Sequence, residues 1–426
     1  YEKLMAINNL VEKRNQSMGK GPLFYRQPLE LVRGQGVWLF DSDGARYMDC
    51  YNNVPCVGHC HPHILKAMNK QAGLLNTHSR YLSQTVIDYS ERLMSLHAES
   101  LDVLQMVCSG TEAIEFAMRL ARSHTNGMGI ICSNATYHGN SHETFRMTVG
   151  PFEPDFRRVS FPDFYRPLPG AVGKDDFGQL YLEEIKSAID GFAADGVQFA
   201  GLLFCSLFAN EGLPNIPKDY MSRAAEIVRE AGGVVIFDEV QAGFCRSGEW
   251  WGYEVVDCVP DIVAMGKPMG AGYPTGGVGA RAEIMESFFK KSGYFNTMAA
   301  TPLQAAVANA VLDVIENEDI CNKVSKVGRY LRMKLESFKE RYESVGDVRG
   351  HGLFLAIDWV KDKKSRAPDR DGAIEVVEKL KELGFLISNA GVHRNVLKIR
   401  PPLVFNEENA DELYEALDRA FEFVAS

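Results

Sequence analysis

The stretch VVIFDEVQAGF, residues 234–244, decides how the rest is read. Four apolar, mostly β-branched residues run without polar alternation into Asp238. A run this short and this apolar is a strand covered on both faces, and such strands belong to mainly parallel sheets. Asp238 then stands at the strand's C-terminal edge, where open α/β sheets bind ligands. A carboxylate buried there needs a partner. A protonated ring nitrogen is one candidate, and an arginine or the cap of the next turn is the plainer one.

Working outward, similar runs occur at LQMVC (104–108), GIIC (129–132), AGLLFC (200–205), DIVAM (261–265) and GGVGA (276–280). Helical patterns lie between them at 112–123 and 218–231. In the first, Ala113, Phe116, Ala117, Leu120 and Ala121 share one face. Strands alternating with helices predict an α/β architecture whose sheet is covered on both sides. Nearer the start, VWLF and RYMDC flank Asp41-Ser42-Asp43-Gly44, a hairpin signature. Beyond 300 the pattern changes. Thr301-Pro302-Leu303-Gln304 is a helix start with a capping box, and a long helical region to about 340 is expected. A strand at 352–360, a helix near 372–383, a strand at 396–400 and a last helix from about 407 complete a smaller α+β lobe. The division expected is an N-terminal segment 1–55 joining the small domain, a large domain 56–300 and a C-terminal small domain 301–426.

The chain has 426 residues, with Lys+Arg 46, Asp+Glu 56 and a net charge of −10. That acidity argues against bulk attraction to nucleic acid or an anionic membrane. The longest uncharged apolar-rich run, 198–210, is shorter than the roughly 20 residues that span a bilayer. YEKLMAINNLVEKRN carries no signal-peptide core. Nine cysteines, an odd number, favour free thiols in a reducing compartment over a disulfide scaffold, so a cytoplasmic enzyme or large binding protein is expected.

Two further elements carry chemistry. Lys267, in PDIVAMGKPMGAG, follows an apolar strand and sits between Gly266 and Pro268. Desolvated at a strand's edge, its amine becomes a nucleophile toward aldehydes; alone, a surface lysine capping the strand is the better reading. CSGTEA (108–113) ends a strand and opens a helix, so Ser109, Gly110 and Thr111 offer a phosphate cup. Ser109 with Glu112 also fits an ordinary capping box. Taken together, the three sites ask for an aldehyde, a ring nitrogen and a phosphate, and pyridoxal 5'-phosphate has all three.

The sequence resembles the class III aminotransferases of the fold-type I pyridoxal-phosphate enzymes, and within them the ethanolamine-phosphate and phosphohydroxylysine phospho-lyase subgroup. YNNVPCVGHCHPHILKA (51–67), LNTHSRYL (75–82), SGTEA, YHG (137–139), FDEVQAGF, PDIVAMGKPMGAG, YFNT (294–297), VLDVIENEDI (312–320), GDVRGHGLFLAIDWVKD (346–362) and HRNVLKIRPPLVF (393–405) carry the resemblance, in family order. It implies a large domain with a mainly parallel seven-stranded sheet beside a smaller α+β domain. It implies that Lys267 forms the internal Schiff base and moves the substrate proton, and that Asp238 holds the pyridine nitrogen protonated. Ser109, Gly110 and Thr111 hold the phosphate. Tyr137 stacks on one ring face, Val240 packs on the other, and Gln241 approaches the ring hydroxyl. Thr297 reaches the neighbouring subunit's cofactor, which implies a homodimer with shared active sites.

Two stretches depart from the family pattern. Cys205 stands where a glutamate is usual and Phe208 where a glutamine is, with Glu211 six residues beyond Cys205. Lys398 stands where an arginine usually grips a carboxylate, with Arg400 beside the prolines. A lysine there suits a phosphate as well as a carboxylate; the plain alternative is that Lys398 points outward on its strand. Asn53 is a candidate substrate contact or a turn residue. GHCHPH (58–63) has no standard zinc spacing, so no metal is expected. Gly270-Ala271-Gly272-Tyr273-Pro274 is half a dinucleotide fingerprint with a proline where the helix should open. Cys132, Cys205 and Cys245 are expected as buried small hydrophobes.

The first expectation is therefore amino-group transfer from a small primary amine or amino acid to a keto acid or aldehyde. The alternative is a lyase that eliminates phosphate or ammonia from an amine such as ethanolamine phosphate. A non-catalytic cofactor-binding protein comes third.

Overall fold

The computed structural model describes residues 2–148, 154–172 and 176–425. Its centre is a seven-stranded sheet. In spatial order the strands are Val103–Val107, Gly276–Ala280, Ile262–Met265, Val234–Asp238, Phe199–Cys205, Gly129–Ser133 and Phe156–Val159. Gly276–Ala280 runs antiparallel to both its neighbours, and every other pairing is parallel. The six remaining strands therefore end on one edge, which brings Val107, Ser133, Cys205, Asp238 and Met265 to the same side. Every residue of Val234–Asp238 and Phe199–Cys205 is buried, as expected of central strands covered on both faces.

The first crossover helix, Gly110–Thr125, buries Ala113, Phe116, Ala117, Leu120 and Ala121 on the sheet, the face read from the sequence. The second, Tyr220–Glu230, falls within its expected bounds. The strand Phe156–Val159 was not anticipated, because FRRV reads as polar; its arginines carry their charge out to Asp195 and to the Met147 carbonyl.

The hairpin forms from Trp38–Asp41 and Arg46–Asp49, closed by Asp41 Oδ1 accepting the N–H groups of Asp43 and Ala45 at 3.0 and 2.9 Å. With Leu31–Gln35 and the distant Phe385–Leu386 it makes one four-stranded sheet. The other is Val345–His351, Phe354–Trp359, Val396–Ile399 and Ser388–Ala390. So the hairpin meets the C-terminal part through a strand pair of its own. Thr301 caps Pro302–Asn317 by accepting the Gln304 N–H at 3.2 Å, and Gln304 reaches back to the Ala300 N–H at 2.7 Å. The helical region expected to about 340 consists of Pro302–Asn317, Ile320–Glu336 and Phe338–Arg341. Asp319, with φ of 52°, turns the chain between the first two.

The expectation of free thiols is corrected at two positions. Cys245 and Cys321, 76 residues apart, form a disulfide, so Cys245 is not a lone small hydrophobe. A cysteine count cannot reveal this, because only the fold brings the two residues together. Cys132 and Cys205 are buried free thiols, as expected.

Candidate active site

Asp238 ends the central strand and is 7% exposed. Two partners fix its carboxylate. The Val240 N–H donates to Oδ1 at 2.9 Å, and Oδ2 lies 2.7 Å from His138 Nδ1. The other imidazole nitrogen of His138 meets the Thr136 hydroxyl. An Asp–His–Thr relay thus holds a carboxylate at the ligand-binding edge of the sheet. No arginine ion pair is recorded for Asp238 among the described residues.

Lys267 follows the adjacent strand Ile262–Met265 and opens a short 3₁₀ turn, Lys267–Gly270, with Pro268 setting its start. Burial pushes its amine below the ordinary lysine range; Asp238 partly opposes that shift and Arg400 adds to it. It keeps part of its surface open. It is therefore no outward-facing strand cap.

The helix start lies against both elements. A Cβ on Gly110 would sit 2.9 Å from Val240 Cγ1, and one on Gly266 would sit 3.0 Å from the Gly110 Cα. The three motifs thus converge on one backbone cradle that side chains would close. Ser109 makes its cap bond, accepting the Glu112 N–H at 3.2 Å, while Glu112 accepts the Cys108 N–H at 2.8 Å. Gly110 and Thr111 begin the helix, where first-turn N–H groups lack intrahelical partners and favour an anion. Thr111 Oγ1 is 3.1 Å from Asn140 Oδ1. A fixed carboxylate, a desolvated amine and a glycine-opened helix start match the ring nitrogen, aldehyde and phosphate of pyridoxal phosphate.

Lys398 and Arg400 do not point outward: they are 3% and 6% exposed. The Lys398 ammonium donates to the Ala209 carbonyl at 2.9 Å and lies 3.5 Å from Gln241 Oε1. Arg400 donates to the same Gln241 oxygen, and its guanidinium stands 4.4 Å from the centre of the Tyr51 ring. Gln241 is held in turn by Asn210 Oδ1 at 3.1 Å, and Asn210 donates to the Tyr137 carbonyl at 2.9 Å. Burial pushes both cations down, and their mutual repulsion pushes Lys398 further. Neither forms a salt bridge among the described residues, although the charge of Glu211 acts on Lys398 and that of Asp49 on Arg400. Glu211 bonds the Ser133 hydroxyl through Oε1 and leaves Oε2 without a partner; burial pushes its carboxyl up.

Asn53 is buried, with an unpartnered Nδ2. Tyr137 is 46% exposed. Thr297 occupies an exposed turn, and no recorded contact joins it to the Lys267 cluster among the described residues. His138, Thr136, Asn210 and Tyr51 were given no role from the sequence. His138 lay within a recognised motif, but nothing in its spacing aimed it at a residue 100 positions away. Of the histidines in GHCHPH, His59 bonds Asp49 at 2.7 Å, His61 caps the helix Pro62–Ala72, and His63 bonds Asp313 at 2.8 Å.

The aminotransferase class-III family profile matches residues 24–421. A Drosophila melanogaster protein named alanine–glyoxylate aminotransferase 2-like is 40% identical, over 96% of this chain and 86% of its own length. A Caenorhabditis elegans protein named ethanolamine-phosphate phospho-lyase homolog 1 is 35% identical, over 96% and 92%. The solved structure of a phospholyase from Arthrobacter in complex with phosphoethanolamine superposes with a TM-score of 0.93 at 41% identity, covering 97% of this chain and 99% of that one.

Proposed function

The chain belongs to the class-III aminotransferase family, and from that premise we propose that it is a pyridoxal-phosphate enzyme acting on a short primary amine that carries a phosphate. The fold-type I architecture and membership of a family of aminotransferases and phospho-lyases are its foundation. The observation that carries the substrate assignment is the pair Lys398 and Arg400: two buried basic side chains that share one amide oxygen and form no salt bridge among the described residues, with Glu211 and Asp49 acting on them only at longer range. Buried charges without a direct ion pair are costly, so the pair favours an arriving dianion. A phosphate monoester supplies one.

When bound, pyridoxal phosphate supplies an aldehyde for the amine and a ring that takes up the electron pair left when the adjacent carbon loses its proton. Lys267 Nζ would hold and move that proton, and the burial that pushes its amine below the ordinary lysine range suits it to the task. Asp238, oriented by His138 and the Val240 N–H, offers its carboxylate to the ring nitrogen. Gly110 and Thr111 hold the cofactor phosphate, with Ser109 fixing the helix start. Val240, which lies against Gly110, and Tyr137 would hold the ring between them. Lys398 and Arg400 hold the substrate phosphate β to the amine, where the C–O bond breaks and the electron pair leaves with phosphate. With phosphoethanolamine and water the products balance as acetaldehyde, phosphate and ammonia.

Amino-group transfer to a keto acid is the second reading, favoured by the aminotransferase names of relatives such as the Drosophila protein. The same two cations accept a carboxylate. Two assays separate the readings. Phosphate and ammonia released from phosphoethanolamine without a keto acid supports elimination; amine-dependent conversion of pyruvate to alanine without phosphate release replaces it with transfer. Lys267→Ala abolishes either, and borohydride should tag the peptide that contains Lys267.

A homodimer is part of the proposal. Next to Thr297, Met298 is 70% exposed, and Phe295 lies under Arg80 at 3.8 Å; in the segment that carries Arg80, Leu82 is 98% exposed. Such a surface is suited to burial against a second copy. Leu82→Asp should shift sedimentation from dimer toward monomer.

A further inference from the structure

The segment that follows Asp238 is an unbroken turn over 240–247, and it is fastened at both ends. At its start Gln241 Oε1 accepts from Lys398 and Arg400. Near its end, Cys245 is bonded to Cys321 in the first turn of the helix Ile320–Glu336. The next residue, Arg246, is 1% exposed and donates to the carbonyls of Leu353 and of Pro401, the neighbour of Arg400. The turn also lies on the helix: a Cβ at Gly248 would stand 3.1 Å from Ser325 Cβ. Two successive non-glycine residues, Phe244 and Cys245, hold φ values of 59° and 65°. Side chains rarely adopt that region unless their surroundings enforce it. The disulfide is one such constraint, placed on the stretch that positions both substrate-binding cations.

We infer that the Cys245–Cys321 bond is a redox-controlled clamp on the turn carrying Gln241, opened and closed by exchange with a small thiol and its disulfide. The two sulfurs differ in access. Cys245 is fully buried, whereas Cys321 is half-buried, so exchange enters at Cys321. A thiolate attacks Cys321 Sγ, the protein disulfide breaks, and Cys245 leaves as a thiolate that takes up a proton. A second thiol then displaces the mixed disulfide from Cys321, leaving two protein thiols and one small disulfide. The reverse sequence consumes one small disulfide. Opening the clamp frees the turn, and with it the oxygen that Lys398 and Arg400 share. The other seven cysteines are free thiols, of which Cys60 is exposed and Cys108 partly exposed.

The functional consequence rests on the phosphorylated-amine reading, whereas the bond and its effect on the fold do not. The test compares holoenzyme equilibrated with glutathione disulfide, the same protein reduced with dithiothreitol, and Cys321→Ser. Non-reducing peptide mapping should join the Cys245 and Cys321 peptides in the first sample only. The reduced protein and Cys321→Ser should melt lower, by about 5 °C. Both should bind O-phosphoethanolamine less tightly by calorimetry, about threefold or more, as expected when one hydrogen bond to charged partners is loosened. Dithiothreitol should not change Cys321→Ser further. Absence of the joined peptide, or equal melting and affinity in the oxidised and reduced forms, overturns the clamp. If no form binds O-phosphoethanolamine, the substrate reading fails, and the peptide map and melting shift still decide the clamp.

Discussion

His138 Nδ1 stands 2.7 Å from Asp238 Oδ2, joining the loop after one strand to the last residue of another. The contact uses one carboxylate oxygen, the Val240 N–H uses the other, and Thr136 holds the far side of the ring. His138→Phe keeps the ring's bulk and removes both polar contacts. A hydrogen bond to a charged partner contributes about 2 kcal/mol. The variant should therefore melt lower and release pyridoxal phosphate on dialysis more readily than wild type, by roughly tenfold or more in affinity. Unchanged cofactor retention would refute the orienting role.

Lys398 gives a pH dependence whose sign follows from its burial. Its amine is held well below the ordinary lysine range, chiefly by burial and then by Arg400. Only the protonated amine attracts an anion. Affinity for phosphoethanolamine should thus be complete below the pKa of buried Lys398 and be lost as pH rises through it. Lys398→Arg keeps the charge and should flatten the KM–pH profile. Lys398→Met should raise KM at low pH by about thirtyfold, equivalent to about 2 kcal/mol. Stability moves the other way. The unfolded lysine binds its proton more readily, so the unliganded protein loses stability as pH falls from the ordinary lysine pKa toward the depressed one.

Gly110→Ala tests the cradle. The added Cβ would meet Val240 Cγ1 at 2.9 Å and Cγ2 at 3.0 Å, so the helix start must move. Cofactor affinity should drop severalfold despite alanine's better helix propensity. Trimming Val240 to alanine in the same chain should restore most of it. A double variant no better than Gly110→Ala would place the phosphate elsewhere.

Much of this was legible because the information is local. Asp238 and Lys267 each follow an apolar run, and a run's end is visible in sequence. The helix face of Ala113 and Phe116 and the cap at Thr301 also depend on neighbours within a few residues. What escaped depends on distance. The His138–Asp238 contact, the Gln241 amide held by Asn210, and the Cys245–Cys321 bond each join segments whose approach only the folded sheet determines. The division of the helical region at Asp319, whose φ is left-handed, was not visible in the periodicity. Lys398 lay between two readings, and its strand's pairing with Phe354–Trp359 turned it inward.

Cys205→Glu asks what the unusual cysteine does. Cys205 is 4% exposed and stands in register with Asp238 on the neighbouring strand. Its thiol is pushed up by burial first and by Asp238 and Glu211 next, so it stays neutral. The site thereby keeps two basic groups that form no salt bridge among the described residues. A glutamate at this position adds a further negative charge, beside that of Glu211, within the electrostatic reach of Lys398. The new carboxylate competes with the substrate anion for Lys398 and Arg400. KM for phosphoethanolamine should rise about tenfold or more, since screening one buried cation removes over 1 kcal/mol of anion binding. Amino transfer to a keto acid should gain relative to phosphate release. Cofactor content should be unchanged, because Asp238, Lys267 and the Gly110 cradle keep their partners. Loss of bound pyridoxal phosphate with KM intact would mean that position 205 faces the ring rather than the substrate anion, and the two-cation explanation of specificity would fall.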